Sequence, residues 1–181
     1  MSLAPCSTGD ACGRRCADLR LKPSKAVPRI FLDCDGVLAD FDKGAARVFG
    51  MLSAEYELRF GLKRFWSTLA ATPDFFNTLD LLPDAMELFD AVRPLRPIIL
   101  TGLPRGAWAE PQKRRWAERH FPGVEVITAS AALKREHCHP GDALVDDRDK
   151  YRHLWEEAGG IFIHHQNAAA SIAHLREHSF L

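Results

Sequence analysis

The chain has 181 residues, 46% of them hydrophobic and 27% charged, with 24 basic and 24 acidic side chains and a formal net charge of zero. That length supports one full core with a small insertion rather than two independent domains. Balanced charge argues against a nucleic-acid polymer or an anionic membrane as the main partner, because both select basic surfaces; a small anionic substrate held at a local site is compatible with it.

Residues 1–28 mix Gly, Ser, Pro, Arg and Cys without periodicity and are expected to form a disordered tail. They lack the apolar stretch of a secretory signal, and nowhere is there the run of about 18 apolar residues that would span a membrane. The five cysteines are an odd number. Cys6, Cys12 and Cys16 lie in the tail and Cys34 lies inside an acidic motif, so no disulfide framework is expected and the cytoplasm is the expected compartment. The tail cysteines lack the close pair and nearby fourth ligand of a zinc site, and His137, Cys138 and His139 stand too close together to converge on one metal.

Order is expected from Arg29. The apolar runs Ile30–Asp33, Ile98–Thr101, Val124–Thr128, Ala143–Asp146 and Gly160–His164 read as strands covered on both faces. Helical stripes lie between them. Ala85, Leu88, Phe89 and Val92 form one, and Tyr151, Leu154, Trp155 and Ala158 form another, which Gly159-Gly160 should end. A last helix is expected from an N-cap at Asn167. Alternating strands and helices imply an α/β fold with a parallel sheet. Residues 42–82 break the alternation. They read as helical and aromatic, with Phe49, Tyr56, Phe60, Phe65, Trp66, Phe75 and Phe76, and are too long for a simple crossover. The expected organisation is a tail at 1–28, a core domain of 29–41 with 83–181, and a helical cap at 42–82.

Ligands of open parallel sheets bind beyond the carboxyl ends of the strands. Asp33, Asp35 and Gly36 follow the first run, Thr101 and Gly102 the second, and Asp146 and Asp147 the fourth; Lys134 lies between the third and fourth. Gathered carboxylates repel one another, and a hard divalent cation such as Mg2+ relieves that repulsion. A carboxylate beside such a metal can attack phosphorus, and a second carboxylate two residues on can serve as general acid and base. Lysine, hydroxyl and amide donors can neutralise the transferring oxygens. The Asp-x-Asp-Gly segment also opens calcium loops, but the sixth and twelfth positions counted from Asp33 hold Leu38 and Gly44 where an EF-hand needs Gly and Glu.

In the segments FLDCDGVLADF at 31–41, IILTG at 98–102, Lys134 and ALVDDR at 143–148, the chain resembles the haloacid dehalogenase superfamily, over roughly residues 29–167. Within it, the wording Asp-Gly-Val-Leu-Ala-Asp-Phe and the helical insertion with Phe65-Trp66, Phe75-Phe76 and Leu82-Pro83-Asp84-Ala85 are most similar to the 5′(3′)-deoxyribonucleotidases. The resemblance implies a Rossmann-type parallel sheet flanked by helices with a small cap after the first strand. It implies a Mg2+-dependent phosphomonoesterase working through an aspartyl phosphate on nucleoside or deoxynucleoside monophosphates. Asp33 would be nucleophile and metal ligand, and Asp35 general acid/base and metal ligand through its carbonyl. Thr101, Gly102 and Lys134 would hold the phosphoryl group, with Asp147 coordinating the metal directly and Asp146 supporting it. Phe41, with Phe65 and Trp66, would stack on the base, although core packing competes for Phe65 and Trp66 and is favoured for Phe75 and Phe76. A phosphosugar substrate, or a non-catalytic binding relative, is the alternative. The resemblance leaves the oligomeric state open, a homodimer included.

Overall fold

Strands β1 (Ile30–Leu32), β2 (Ile98–Gly102), β3 (Val126–Ala129), β4 (Ala143–Asp146) and β5 (Ile161–His164) pair in parallel, in the order β3-β2-β1-β4-β5. Among the described residues six α-helices accompany them: α1 (Phe41–Phe49), α2 (Ser53–Ala71), α3 (Ala85–Val92), α4 (Ala109–His120), α5 (Arg152–Glu157) and α6 (Ala168–Glu177). This computed structural model describes residues 27–181, so all but the last two residues of the expected tail, with Cys6, Cys12 and Cys16, lie outside the described residues. The result is an α/β fold with a five-stranded parallel sheet flanked by helices. Among the described residues no helix is long and apolar enough to cross a membrane.

The chain leaves β1 for β2 and β3 on one side and then returns to β4 and β5 on the other. The carboxyl ends of β1 and β4 therefore flank the point where strand order reverses, which is where open sheets open a crevice. Alternation along the strands divides the core. Ile30, Leu32, Ile99 and Val145 join a large apolar cluster that includes Leu88, Trp116 and Leu175. Phe31, Ile98, Leu100, Leu144 and Phe162 form a second cluster closed by Trp155 of α5.

Several sequence expectations shift. β3 was expected to begin at Val124 and to be buried; it begins at Val126, because the Val124 amide donates to Phe121 O in the turn after α4. It is also an edge strand, half-buried along its length, and Arg114 donates to its Val126 carbonyl at 3.0 Å and to Thr128 Oγ1 at 3.1 Å. Charged side chains over a free edge are a common guard against unwanted strand pairing. The stripe at 151–158 reduces to one fully buried residue, Trp155, since α5 is short and Tyr151 belongs to a 3₁₀ turn. α5 ends at Glu157, just ahead of the expected Gly159-Gly160 stop, where Gly159 has a φ of 87° and a Cβ at Gly160 would overlap the Trp155 indole.

Between β1 and β2 the chain leaves the sheet at Ala39 and comes back at Leu81, where the two are bridged; Asp40 N donates to Asp80 O and Leu82 N to Leu38 O, both at 2.9 Å. The intervening segment holds α1, α2 and a 3₁₀ turn at Phe75–Thr78, with α2 broken at Gly61 (φ 78°, ψ 159°). Rings hold it together. Phe49 and Tyr56 stack at 3.9 Å between centroids, and Phe65 lies 4.9 Å from Phe49. Helix α4 ties the segment to the sheet: Gln112 accepts from Phe76 N at 2.9 Å, Trp116 donates to Leu79 O at 2.8 Å, and Arg119 donates to Asn77 O.

Candidate active site

The Asp33 amide continues the sheet ladder beyond β1, donating to Val145 O at 2.9 Å. This fixes the Asp33 side chain at the reversal point, 7% exposed. Its Oδ1 accepts from the Cys34 amide at 2.8 Å and pairs with Lys134 Nζ at 3.0 Å. Lys134, buried in a 3₁₀ segment at Ala131–His137, also donates to Asp146 Oδ2 at 2.7 Å. One ammonium therefore bridges the acids at the ends of β1 and β4. Burial works against its charge, but Asp33 and Asp146 hold its pKa above the ordinary lysine value.

Asp33, Asp146 and Asp147 each offer an oxygen within 4.8 Å of the other two. The adjacent pair is asymmetric. Asp146 is pinned by Lys134 and by the Arg148 amide at 2.9 Å, whereas the Asp147 carboxylate accepts no hydrogen bond from the described residues. Burial, with the neighbouring Asp33 and Asp146, pushes the Asp147 carboxyl up to about 7, and burial with Asp33 raises Asp146 as well. His164 at the end of β5 shares a 2.9 Å hydrogen bond with the Asp147 carbonyl. Gly36 is required twice over: its φ is 77°, and a Cβ there would run into the Asp147 carboxylate. Three clustered acids facing one buried lysine leave surplus negative charge, and a hard divalent cation with oxygen ligands fits that donor set.

The other half of the site lies toward β2. After Asp33 the chain turns tightly, with the Leu38 and Ala39 amides both donating to Cys34 O at 2.8 Å, and this turn carries Asp35. Thr101, near the end of β2, is buried beside it. Lys113 connects the two: its Nζ donates to Asp35 Oδ2 at 2.5 Å and to Thr101 Oγ1 at 2.9 Å. Burial raises the Asp35 pKa, with Lys113 pulling against it and Asp33 adding to it. Cys34 points into the apolar core, where burial and then Asp35 raise its thiol well above the ordinary range, so it stays an unreactive thiol.

The structure thus brings Asp33, Asp35, Thr101, Lys134, Asp146 and Asp147 to one end of the sheet, with half-buried Gly102 closing β2. The aromatic candidates are placed differently. Phe41 is 8% and Phe65 3% exposed, and Phe41 has Phe65, Trp66, Phe75 and Phe76 around it with centroids at 6.3, 6.2, 5.6 and 6.2 Å. Trp66 alone of the three named for stacking is half-buried. Two residues escaped sequence reasoning. Lys113 is 1% exposed and shares a helix face with Ala109, Trp116 and Ala117; one charge on an otherwise apolar stripe was the available signal. Trp108, half-buried, lies 5.2 Å from Phe76 in a loop with no periodicity to flag it.

No family model matches the chain. It is 29% identical over 149 residues to the cytosolic-type 5′(3′)-deoxyribonucleotidase of Homo sapiens, covering 68% of this chain and 72% of that protein. It is 28% identical over 163 residues to the mitochondrial 5′(3′)-deoxyribonucleotidase of Mus musculus, covering 76% and 74%. Among solved structures, the L-2-haloacid dehalogenase of Xanthobacter autotrophicus with chloropropionic acid covalently bound aligns with a TM-score of 0.49 and 16% identity, over 86% of this chain and 85% of that one. By sequence, the chain is thus similar, over roughly seven tenths of its length, to proteins named 5′(3′)-deoxyribonucleotidases.

Proposed function

We propose that the chain is a Mg2+-dependent phosphomonoesterase that hydrolyses nucleoside or deoxynucleoside monophosphates through an aspartyl phosphate on Asp33. The observation that carries this reading is the placement of Asp33, held by Lys134 beside Asp146 and Asp147 with Asp35 two residues on. The likeness to enzymes named 5′(3′)-deoxyribonucleotidases supports the substrate class.

The Asp33 carboxylate attacks phosphorus, the ester P–O bond breaks, and Asp35 gives its proton to the departing oxygen. Asp35 then takes a proton from water, whose oxygen attacks the aspartyl phosphate, releasing inorganic phosphate and restoring both acids. The Thr101 hydroxyl, the Gly102 amide and Lys134 hold the phosphoryl oxygens. Asp33, Asp146, Asp147 and the Asp35 carbonyl would hold Mg2+, which when bound offsets charge on the transferring group. Asp147, free of other partners among the described residues, is the readier direct ligand. For the base, Trp66 offers the one open ring among the three aromatic candidates, with Phe41 and Phe65 packed behind it.

The test is phosphate release from p-nitrophenyl phosphate and from a panel of nucleotides, deoxynucleotides and sugar phosphates. Activity should require Mg2+, stop with EDTA, and vanish in Asp33→Asn with thermal stability close to wild type. Unchanged turnover in Asp33→Asn sinks the mechanism. Sugar phosphates ranking equal to nucleotides would sink the substrate class alone.

A further inference from the structure

Lys113 is the most completely buried charged side chain of the described residues, at 1% exposure. An ammonium leaves water only at a large cost, so its partners should matter. Those partners come from three separate parts of the chain: Asp35 from the turn after β1, Thr101 from β2, and Phe76 from the inserted segment, whose ring lies 4.4 Å below Nζ. Nothing in the reaction proposed above uses this lysine, and Lys134 already stands against Asp33.

An ammonium can only donate. At Asp35 it occupies Oδ2 and leaves Oδ1, a buried oxygen with no hydrogen-bond partner among the described residues. At Thr101 it occupies an acceptor position on Oγ1, so the hydroxyl hydrogen must point elsewhere. We propose that Lys113 is a positioning residue that fixes Asp35 with Oδ1 presented to the leaving oxygen and turns the Thr101 hydroxyl into a donor for the phosphoryl group. The cation–π contact with Phe76 ties this arrangement to the inserted segment, so the acid is set in register with the cap. This inference rests on the phosphomonoesterase reading and adds to it the control of leaving-group protonation.

Protonation of the leaving oxygen matters for an alkoxide and hardly at all for a dinitrophenolate. The experiment therefore compares kcat/KM for a deoxynucleoside monophosphate and for 2,4-dinitrophenyl phosphate, using the full chain with Mg2+, in wild type and Lys113→Met. The expected result is a loss of about 100-fold on the nucleotide and about tenfold or less on the aryl ester. Equal losses on both esters, or no loss, would overturn the proposal. Removing one partner of a buried pair can unfold a protein, so Asp35→Asn and the double variant Asp35→Asn/Lys113→Met provide a second comparison. The double variant leaves no unpaired charge. Its nucleotide-to-aryl ratio should match that of Asp35→Asn alone, and a further drop overturns the positioning role. Wild type inactive on both esters would instead bring down the hydrolase reading, and the role of Lys113 with it.

Discussion

The sheet end and the inserted segment above it are built on opposite principles. At the sheet end buried lysines are paired with carboxylates and a hydroxyl: Lys134 bridges Asp33 and Asp146, Lys113 bridges Asp35 and Thr101, and Gly36 clears room for Asp147. In the insertion, rings pack on rings, and the Phe41 environment contains four other aromatics. The first kind of construction fixes the direction of each side chain through charge-assisted hydrogen bonds. The second fixes volume and leaves an apolar wall. The difference implies that reaction and selectivity can be separated: damage to the sheet end should hurt every substrate, and damage to the open ring of the insertion, away from the Phe76–Lys113 contact, should hurt only those with a base.

The largest effect should come from Lys134→Met. Its loss leaves Asp33 and Asp146 buried without their shared cation. We expect kcat/KM to fall about 100- to 1000-fold for all phosphate esters alike. Stability should fall by about 3 kcal/mol or more, as for a broken buried pair, read as the midpoint in urea. A variant that loses activity toward nucleotides but keeps it toward glycerol phosphate would break the proposed separation.

How much of this was legible follows the same division. Asp33, Asp35, Thr101, Lys134 and the 146–147 pair could be read because each follows or lies between recognisable apolar runs, and a parallel sheet brings the ends of such runs to one edge. Strand limits were less legible: β3 was read as buried because Val126 and Ile127 are apolar, while its exposure is set by its place at the sheet edge and by Arg114 from α4. Lys113 was hidden because a lysine in a helix of sequence AEPQKRRWAERH counts as solvated until the helix face is known. The insertion was legible as aromatic and helical, but which rings face inward depends on tertiary packing that no periodicity encodes. Phe65 and Trp66 are neighbours in sequence, and one is buried while the other is half-open.

A smaller effect should follow pH. The Asp147 carboxyl is raised to about 7, and Asp146 and Asp35 are raised as well, with burial the leading cause for each. A raised carboxyl favours the folded state while it is protonated. Its contribution is complete below the unfolded pKa, near 4, and is lost as pH climbs through the folded value. Metal-free protein should therefore have a lower Tm at about pH 8 than at about pH 5. Mg2+, by giving the ionised acids a partner, should raise Tm more at the higher pH. Thermal melts with EDTA and with Mg2+ at both pH values test this, and an equal Mg2+ shift at the two would count against the acid cluster as the metal site.

The smallest effect bears most directly on the separation of reaction from selectivity. Trp66 lies 6.2 Å from Phe41 and 5.1 Å from Phe65, centroid to centroid, so its inner contacts anchor it while part of the ring stays open. Trp66→Ala removes that open ring and leaves the phosphate-holding residues untouched. Base–aromatic stacking contributes about 1–3 kcal/mol, so KM for a deoxynucleoside monophosphate should rise about tenfold with kcat little changed. For glycerol phosphate, which has no base, both constants should stay at the wild-type level. A parallel loss on glycerol phosphate would mean that the rings also hold the sheet end in shape, through the Phe76–Lys113 contact. An insertion of that kind would take part in setting Asp35, and binding of the base could then tighten the acid it is stacked above.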